Sequence, residues 1–461
     1  MRSCERALLS WTTTSLLLVG SNEVAAQGYG SYEHSACSVA MGGAAVADPC
    51  SDGSAIWFNP AAVGAIDGAV LSVGGGLIAP RGDWTPNTGN ISTSMIANLV
   101  PVPNLYYVKS INDRVKFGLG LWAPYGLQTE WPLDFEGRFV SYFSKLEAIY
   151  FQPTLAYRVN ERLMVGAGID VSIARVELRR RIDLSAASVP GTPFTFGRLG
   201  VPPGTDYADI TMKGRSTQVG FNAGVLYKAT DRMSFGARYL SRQTASSDEG
   251  ELNATQIPTG LPTPASLPEV PAGTPLDALL APLFGAGRPL QSGQAVSTEL
   301  PLPDLFVGGL MVKPGDRWKV KVDYQYTNWS VFDVLVLSLE NGTTETSYQG
   351  FRDTHTLRVG AEYLWRRGTA VRGGVITHNA AAPPETVTPL LAEGARVEWT
   401  LGFGHQLTPS LAVDVGYKYL HQPSREGRIS NCGSERPTVQ CNTGAYGVRA
   451  NVLGANLTVA W

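Results

Sequence analysis

Leu163-Met164-Val165-Gly166-Ala167-Gly168-Ile169-Asp170-Val171-Ser172-Ile173-Ala174 alternates with a period of two. Leu163, Val165, Ala167, Ile169, Val171 and Ile173 share one side of an extended chain. Met164, Gly166, Gly168, Asp170, Ser172 and Ala174 share the other. This is a strand with one apolar face and one small or polar face. The pattern recurs. Val320, Val322, Tyr324 and Tyr326 alternate with Lys319, Lys321, Asp323 and Gln325. Leu411, Val413, Val415, Tyr417 and Tyr419 alternate with Ala412, Asp414, Gly416 and Lys418. More than ten such segments, ~9–20 residues long and with little helical signal between them, predict a sheet that meets lipid outside and water inside.

The bulk composition agrees. Hydrophobic residues make up 44% of the 461 and charged residues only 16%, which suits a chain whose outer face is not in water. A formal net charge of −2 gives no footing for nucleic acid. There is no apolar run long enough for a transmembrane helix. Residues 61–80 come closest, but Asp67 and several glycines interrupt them.

Residues 1–26 read as a secretory signal peptide. Arg2 and Arg6 form the basic start, Ala7 to Gly20 a weakly apolar core, and Val24-Ala25-Ala26 a small-residue cleavage site. Its removal takes away Cys4 and leaves the near pairs Cys37/Cys50 and Cys432/Cys441. In an exported chain these read as two short-loop disulfides. Neither a metal nor a cofactor is expected.

Tight connections share one chemistry: Asn112-Asp113-Arg114, Asn160-Glu161-Arg162, Thr230-Asp231-Arg232, Gly315-Asp316-Arg317, Arg366-Arg367-Gly368 and Thr408-Pro409-Ser410. Each closes a hairpin. The other connections are long, notably 183–211 and 250–297, with shorter ones at 81–100, 379–393 and 422–443. Short turns at one end and long loops at the other is the asymmetry of outer-membrane barrels, and counting segments gives about fourteen strands. Tyr157, Tyr227, Trp318 and Trp365 near the short turns, and Trp122, Tyr125, Trp131, Trp329 and Phe332 toward the long loops, are expected to form two interfacial aromatic girdles. The last strand, 455–461, ends in Trp461 and resembles the signal read by the outer-membrane assembly machinery. Residues 27–66 carry no alternation and are rich in Gly and Ala, so they are expected inside the barrel as a plug, with residues 67–461 forming the barrel.

Ala55-Ile56-Trp57-Phe58 followed by Asn59-Pro60-Ala61 resembles the NPA motif of the FadL/TodX-type outer-membrane transporters of long-chain fatty acids and aromatic hydrocarbons. Met41-Gly42-Gly43-Ala44 and Ala47-Asp48 are similar to that family's hatch. The run from Ala123 to Trp131, with Glu136-Gly137-Arg138, resembles its third strand and following loop. Leu302 to Leu305, Thr327 to Asp333, and Gly402-Phe403-Gly404 to Tyr417 resemble its middle and end. The resemblance implies a plugged barrel of about fourteen strands. It also implies capture of a hydrophobic ligand at the outer loops, an apolar pocket, and lateral exit at a kink in the third strand. Here the kink would fall at Pro124, Tyr125 and Gly126. Proline cannot donate to a ladder, so Pro124 belongs at a bulge, at an edge, or at the strand's end. Two features depart from the family: Cys37 and Cys50 in the plug, and the proline-rich loop 250–297.

Leu276, Leu279, Leu280, Leu283 and Phe284 follow a helical spacing, with Thr274 as cap, Pro275 in the first turn and Asp277 at the positive end. The apolar face is expected either to offer a first groove for a greasy ligand or to pack on the neighbouring loop. No Walker loop, HExxH or GxSxG is present, and the five histidines are scattered, so no enzyme activity is expected. The rivals are a general porin for polar solutes, an outer-membrane hydrolase using a rim histidine, and a purely structural barrel. A porin would carry more lumen charge. A carboxylate ligand would need a cation at the pocket mouth, for which Lys319, Lys321, Arg358 and Lys418 are candidates. The expected setting is a monomer in the outer membrane of a Gram-negative bacterium, among lipid and lipopolysaccharide.

Overall fold

The computed structural model describes residues 28–89, 91–189, 192–263, 271–430 and 436–461; the expected signal peptide and Cys432 lie outside them. Alternation builds the wall. The barrel strands are β1 (Ala69–Pro86), β2 (Val100–Ser110), β3 (Val115–Glu130), β4 (Phe143–Arg158), β5 (Leu163–Asp183), β6 (Asp206–Thr230) and β7 (Met233–Leu240). They continue with β8 (Leu305–Gly315), β9 (Trp318–Thr327), β10 (Thr354–Arg366), β11 (Thr369–His378), β12 (Arg396–Thr408), β13 (Leu411–Gly427) and β14 (Gly444–Ala460). All fourteen are antiparallel to their neighbours. The sheet closes because β1 pairs with β14 from Val70↔Ala460 to Pro86↔Gly444. Closure leaves the sheet without a terminal edge strand, which is the condition for spanning a bilayer with strands.

The faces fall as the period requires. On β5, Val165, Ile169 and Val171 are exposed on the lipid side, while Asp170 and Ser172 are buried toward the lumen. All six tight turns lie where their residues predict, at one end of the barrel. Asn112 and Asn160 each accept from the backbone N–H groups two and three residues on, which fixes those turns locally. The chain ends meet at the same end, where Ala69 and Trp461 exchange backbone hydrogen bonds.

Two expectations need correction. The stretch 250–297 is not one loop: Gln243–Gln256 and Gln294–Leu302 are paired strands standing above the barrel. The first also pairs with the outer part of β6, and the second carries the hairpin Val334–Leu339/Thr344–Tyr348. Their sequence shows no apolar–polar alternation, because polar residues occupy both faces: Thr244 and Ser246 are exposed, Gln243 and Ser247 buried. Backbone pairing to the long β6 sets them instead. Nor do Trp122, Tyr125, Trp131, Trp329 and Phe332 form an outer girdle; all five are buried. Trp122 shares parity with Lys116, Gly118 and Gly120, so it faces inward with them. The lower girdle holds, with Tyr157, Tyr227, Trp318 and Trp365 all exposed.

Residues 28–66 lie against the inward face of the wall and are almost wholly buried. The wall makes room through glycines. A side chain at Gly416 would strike the carbonyl of Ala36, one at Gly360 that of Met41, one at Gly236 that of Val46 and one at Gly166 that of Pro60. Polar wall residues satisfy the segment's backbone. Ala36 N donates to Asn456 Oδ1 (2.9 Å), Ala45 and Val46 N to Asp323 Oδ2 (2.7 and 2.9 Å), and Gln152 Nε2 to the Ile56 carbonyl (3.1 Å). Two short helices, Ala36–Ala40 and Ala55–Phe58, supply what regular structure it has.

Cys37 and Cys50 are joined by a disulfide that closes a loop with a sequence separation of 13. Replacing both by serine is expected to lower stability by about 3 kcal/mol in the chain-entropy account. Thermal unfolding in detergent, with and without the pair, measures it; an unchanged midpoint would remove the disulfide from the stability argument. The partner expected for Cys441 is Cys432, outside the described residues, so that pairing stays a proposal.

Candidate functional site

The site begins at an interruption in the ladder. β2 and β3 pair only from Ser110↔Lys116 to Leu105↔Leu121. Beyond Leu121 the two strands part, although β2 stays paired with β1 as far as Val100. On the other edge of β3 the register with β4 slips between Trp122 and Tyr125, a bulge that contains Ala123 and Pro124. Pro124 has no N–H to give, so pairing there could not continue on both edges. The N-terminal segment occupies the vacated edge: Ser31 N donates to the Pro124 carbonyl (2.8 Å), and Gly126 N donates to the Tyr29 carbonyl (2.9 Å). Gly126 is exposed, and a Cβ there would meet only the Leu146 carbonyl, at 3.7 Å.

A cavity of about 290 Å³ runs from this seam, between Pro101 and Ala123, into the lumen. Its inner end is charged. Lys418 bonds Glu33 of the N-terminal segment and Glu398 of β12 (2.8 Å to Glu398), and Glu398 also meets His378 (3.3 Å) and Arg396 (3.0 Å). Arg358 is different. It donates to Gln325 (2.9 Å) and lies over the Tyr32 ring, but its Nε and one Nη have no hydrogen-bond partner. It is the candidate cation left for a ligand. Lys319 and Lys321, by contrast, are engaged with Asp48 at the turn-side face of the N-terminal segment. Lys418 is engaged as well, so three of the four sequence candidates hold protein carboxylates.

Beside this lies a smaller cavity of about 120 Å³, lined mainly by Leu127, Leu146, Val176, Leu300, Phe332 and Leu391. It has the apolar lining that a greasy ligand needs. Tyr29 borders it and packs edge-on against Trp329 with ring centroids 4.6 Å apart. A much larger recess between the outer loops, about 1290 Å³, is lined by Arg180, Arg181, Asp183 and Glu345 among others; its polarity suits a vestibule rather than a pocket.

Asn59-Pro60-Ala61 acts locally before it acts at a distance. Asn59 Oδ1 accepts from Ala61 N (3.1 Å) and caps the 3-10 turn Pro60–Ala65, with Pro60 at its start. Asn59 Nδ2 donates to Val46 O (2.7 Å) and across to Val225 O of β6 (3.0 Å), which ties the segment to the wall.

In the outer loops, Leu276–Leu280 is helical and Ala281–Phe284 continues it as a 3-10 turn. Thr274 does not cap it; its hydroxyl donates to the Pro271 carbonyl. Leu276 and Leu280 are buried in a cluster with Leu184, Phe196 and Val201 of the neighbouring loop, while Leu279, Leu283 and Phe284 stay partly open at its rim. Asp277 clamps residues 259–260. Burial pushes its carboxyl up, but the N–H and hydroxyl of Thr259 and the N–H of Gly260 together outweigh that and hold it below the usual range. The histidines serve local contacts: His34 with the Ser31 carbonyl, His355 with Tyr324, His378 with Thr356 and Glu398, His405 with Thr369.

Sequence reading missed Tyr29-Gly30-Ser31 as the filler of the seam, and Glu33 as the partner of Lys418. Lys418 lies on the inward face of its strand, and parity alone marks it as an inward charge in need of a counter-ion.

This chain has relatives among known proteins. It is 25% identical to Outer membrane protein P1 of Haemophilus influenzae over 495 residues, covering all of both chains. It is 24% identical to the Long-chain fatty acid transport protein of Escherichia coli K12 over 403 residues, covering 83% of this chain and 84% of that protein. A Pseudomonas aeruginosa FadL homologue superposes with a TM-score of 0.76 at 22% identity over 94% of this chain and 100% of that one. The Pseudomonas putida toluene transporter TodX superposes at 0.67 and 15% identity, over 93% and 99%. The model of the outer membrane protein transport family (OMPP1/FadL/TodX) matches residues 17–461, and with the closed barrel described above this chain belongs to that family of outer-membrane transport proteins.

Proposed function

We propose that this chain is a passive, non-enzymatic carrier of hydrophobic small molecules, of the long-chain fatty acid or aromatic hydrocarbon class. Residues 28–66 act as the hatch, with Asn59, Pro60 and Ala61 pinning it to the wall. Ligand is taken up at the outer loops, where Leu279, Leu283 and Phe284 beside the buried Leu276 and Leu280 offer an apolar rim. It enters the apolar cavity and leaves sideways past Pro124, Tyr125 and Gly126.

The observation that carries this reading is the seam: β2 and β3 stop pairing at Leu105↔Leu121, beside a cavity that reaches the lumen. An apolar ligand is more stable by ~25 cal/mol for each Å² kept out of water, so a sideways route avoids re-exposing it. Arg358 lines the inner end of that cavity with two unpartnered donors and would hold a carboxylate head in the lumen, apart from the apolar edge of the seam. A general porin reading has less support, because the lumen charges pair with one another and the segment 28–66 fills the wall's glycine groove.

Gly126→Trp tests the route. The position is exposed and a Cβ there meets nothing closer than the Leu146 carbonyl at 3.7 Å, so folding and surface level should be unchanged while uptake of toluene falls. If that variant, and a disulfide joining the two edges of the seam, both transport at the wild-type rate, the ligand leaves by another path and an axial channel replaces the lateral one.

A further inference from the structure

The barrel has a second unpaired seam, on the far side of the same wall panel. β6 pairs with β7 up to Asn222↔Leu240; just beyond, Ser241 N donates to the Phe221 carbonyl (2.9 Å) and Phe221 N to the Ser241 hydroxyl (2.8 Å). The next pairing of β6 is Lys213↔Glu251, with the strand Gln243–Gln256. Residues 214–220 therefore face residues 242–250 with no ladder between them. Gly126 pairs with Glu147, Glu147 with Arg175, and Arg175 with Arg215, so one ladder row runs from the first seam to the second.

Side chains rather than backbone bridge this second gap. The Ser172 hydroxyl lies against the amide oxygens of both Gln218 and Gln243. Two buried polar atoms at the gap have no partner: Gln243 Nε2 and Ser247 Oγ, on residues 4% and 6% exposed. Outside, the gap opens as a notch of about 520 Å³ lined by Thr217, Gln218, Arg242, Thr244 and Ser246. Inside, Gly214, Ser216, Ala245 and Ser247 border the apolar cavity. The pocket thus lies along the inner face of β4, β5 and β6, with an unpaired seam at each end. Just below the notch the wall turns to lipid: Val219 is 68% exposed and Phe221 48%.

We propose that this second seam is a separate outlet, for amphiphiles with a polar or anionic head and an apolar tail. The inference rests on the transport reading above and assigns different ligands to the two seams. The first is lined at its edge by Pro101, Pro103 and Ala123, and passes molecules without a head group. The second offers hydroxyls, amides and the Arg242 guanidinium to a polar head, with the exposed Val219 and Phe221 beside them to receive the tail. An unpaired backbone edge at the membrane is expensive unless polar groups meet it, and a polar head passing through satisfies what the bilayer core cannot.

The test is a cysteine pair, Thr217→Cys with Thr244→Cys, oxidised to close the notch. Flux of palmitate and of toluene through the purified protein in liposomes is measured before and after reduction. The expected result is a loss of palmitate flux by roughly tenfold, as for a blocked gate, with toluene unchanged and reduction restoring palmitate. Retained toluene flux shows that the variant is folded. Should the pair not oxidise, Thr244→Trp fills the same notch and is read the same way. Unchanged palmitate flux in the closed protein overturns the second outlet, and so does equal loss of both ligands. A wild-type protein that passes toluene but not palmitate also overturns it, whereas one that passes neither rejects the transport reading itself.

Discussion

Lys418→Met is expected to destabilise the protein by about 3–5 kcal/mol, the range for removing one partner of a buried ion pair. Lys418 is the cation shared by Glu33 and Glu398, and all three side chains are nearly inaccessible to water. Its loss affects the two carboxylates unequally. Glu398 keeps His378 and Arg396, whereas Glu33 keeps only the Ser31 hydroxyl and the Tyr32 N–H. The damage therefore falls on the N-terminal segment, close to Tyr29-Gly30-Ser31, which fills the first seam. Beyond a lower unfolding midpoint, the variant should let protease reach the first residues of the segment. Adding Glu33→Gln removes the stranded charge and should return most of the stability, because the two sites act through one contact. A single variant that melts within about 1 kcal/mol of wild type would mean that water or a rearranged cation already shields Glu33. A double variant no better than the single would place the loss in packing of the lysine stem instead.

What the sequence made legible follows from what repeats. Each lipid-facing strand repeats the same two-residue contrast, so β5, β9 and β13 could be read from single segments, and the Asn-led turns marked their ends. The strands Gln243–Gln256 and Gln294–Leu302 escaped, since the first carries polar residues on both faces and shows no such contrast. The inward aromatics were misread because their place near strand ends was weighed ahead of their parity. Trp122 follows Gly118 and Gly120 on the lumen face and stacks there with Tyr106 at 6.0 Å. The Asn59-Pro60-Ala61 motif was visible, but its work was not, because a cap and a cross-lumen hydrogen bond look alike in one dimension. Nor could the pairing of Glu33 with Lys418 be read, since it joins residues far apart in sequence and depends on how the N-terminal segment threads the barrel. The seams are absences of pairing. Pro124 marks one of them; the other follows from where a second sheet takes over β6, and no residue type announces it.

Gly416→Val should turn a nearly closed barrel into a conducting one. The Cβ of any residue at 416 would collide with the Ala36 carbonyl and crowd Ala40 N, both backbone atoms that cannot rotate away. The helix Ala36–Ala40 cannot slide aside cheaply either. Ala36 N is held by Asn456 on β14, and Gly42 N by Thr400 on β12 (3.0 Å). Overpacking of this kind costs about 1–3 kcal/mol where the surroundings can adjust. Here the strand has fourteen-fold company in a closed sheet, and the N-terminal segment is joined to it at only one end, so the segment is the part that yields. The barrel itself should persist, and valine at a strand position does not weaken the ladder. The measurement is single-channel current in planar bilayers: little for the wild type, large steady openings for Gly416→Val, with the folded barrel still resisting heat in detergent. Gly308→Val is the control. It lies on the same face as the exposed Phe306, and its Cβ would meet nothing closer than that ring at 3.6 Å, so the same residue change should leave the current unchanged. If Gly416→Val stays as silent as the wild type and folds as well, the glycine groove does not hold the segment in place, and the hatch reading must rest on the Asn59 and Lys418 contacts alone.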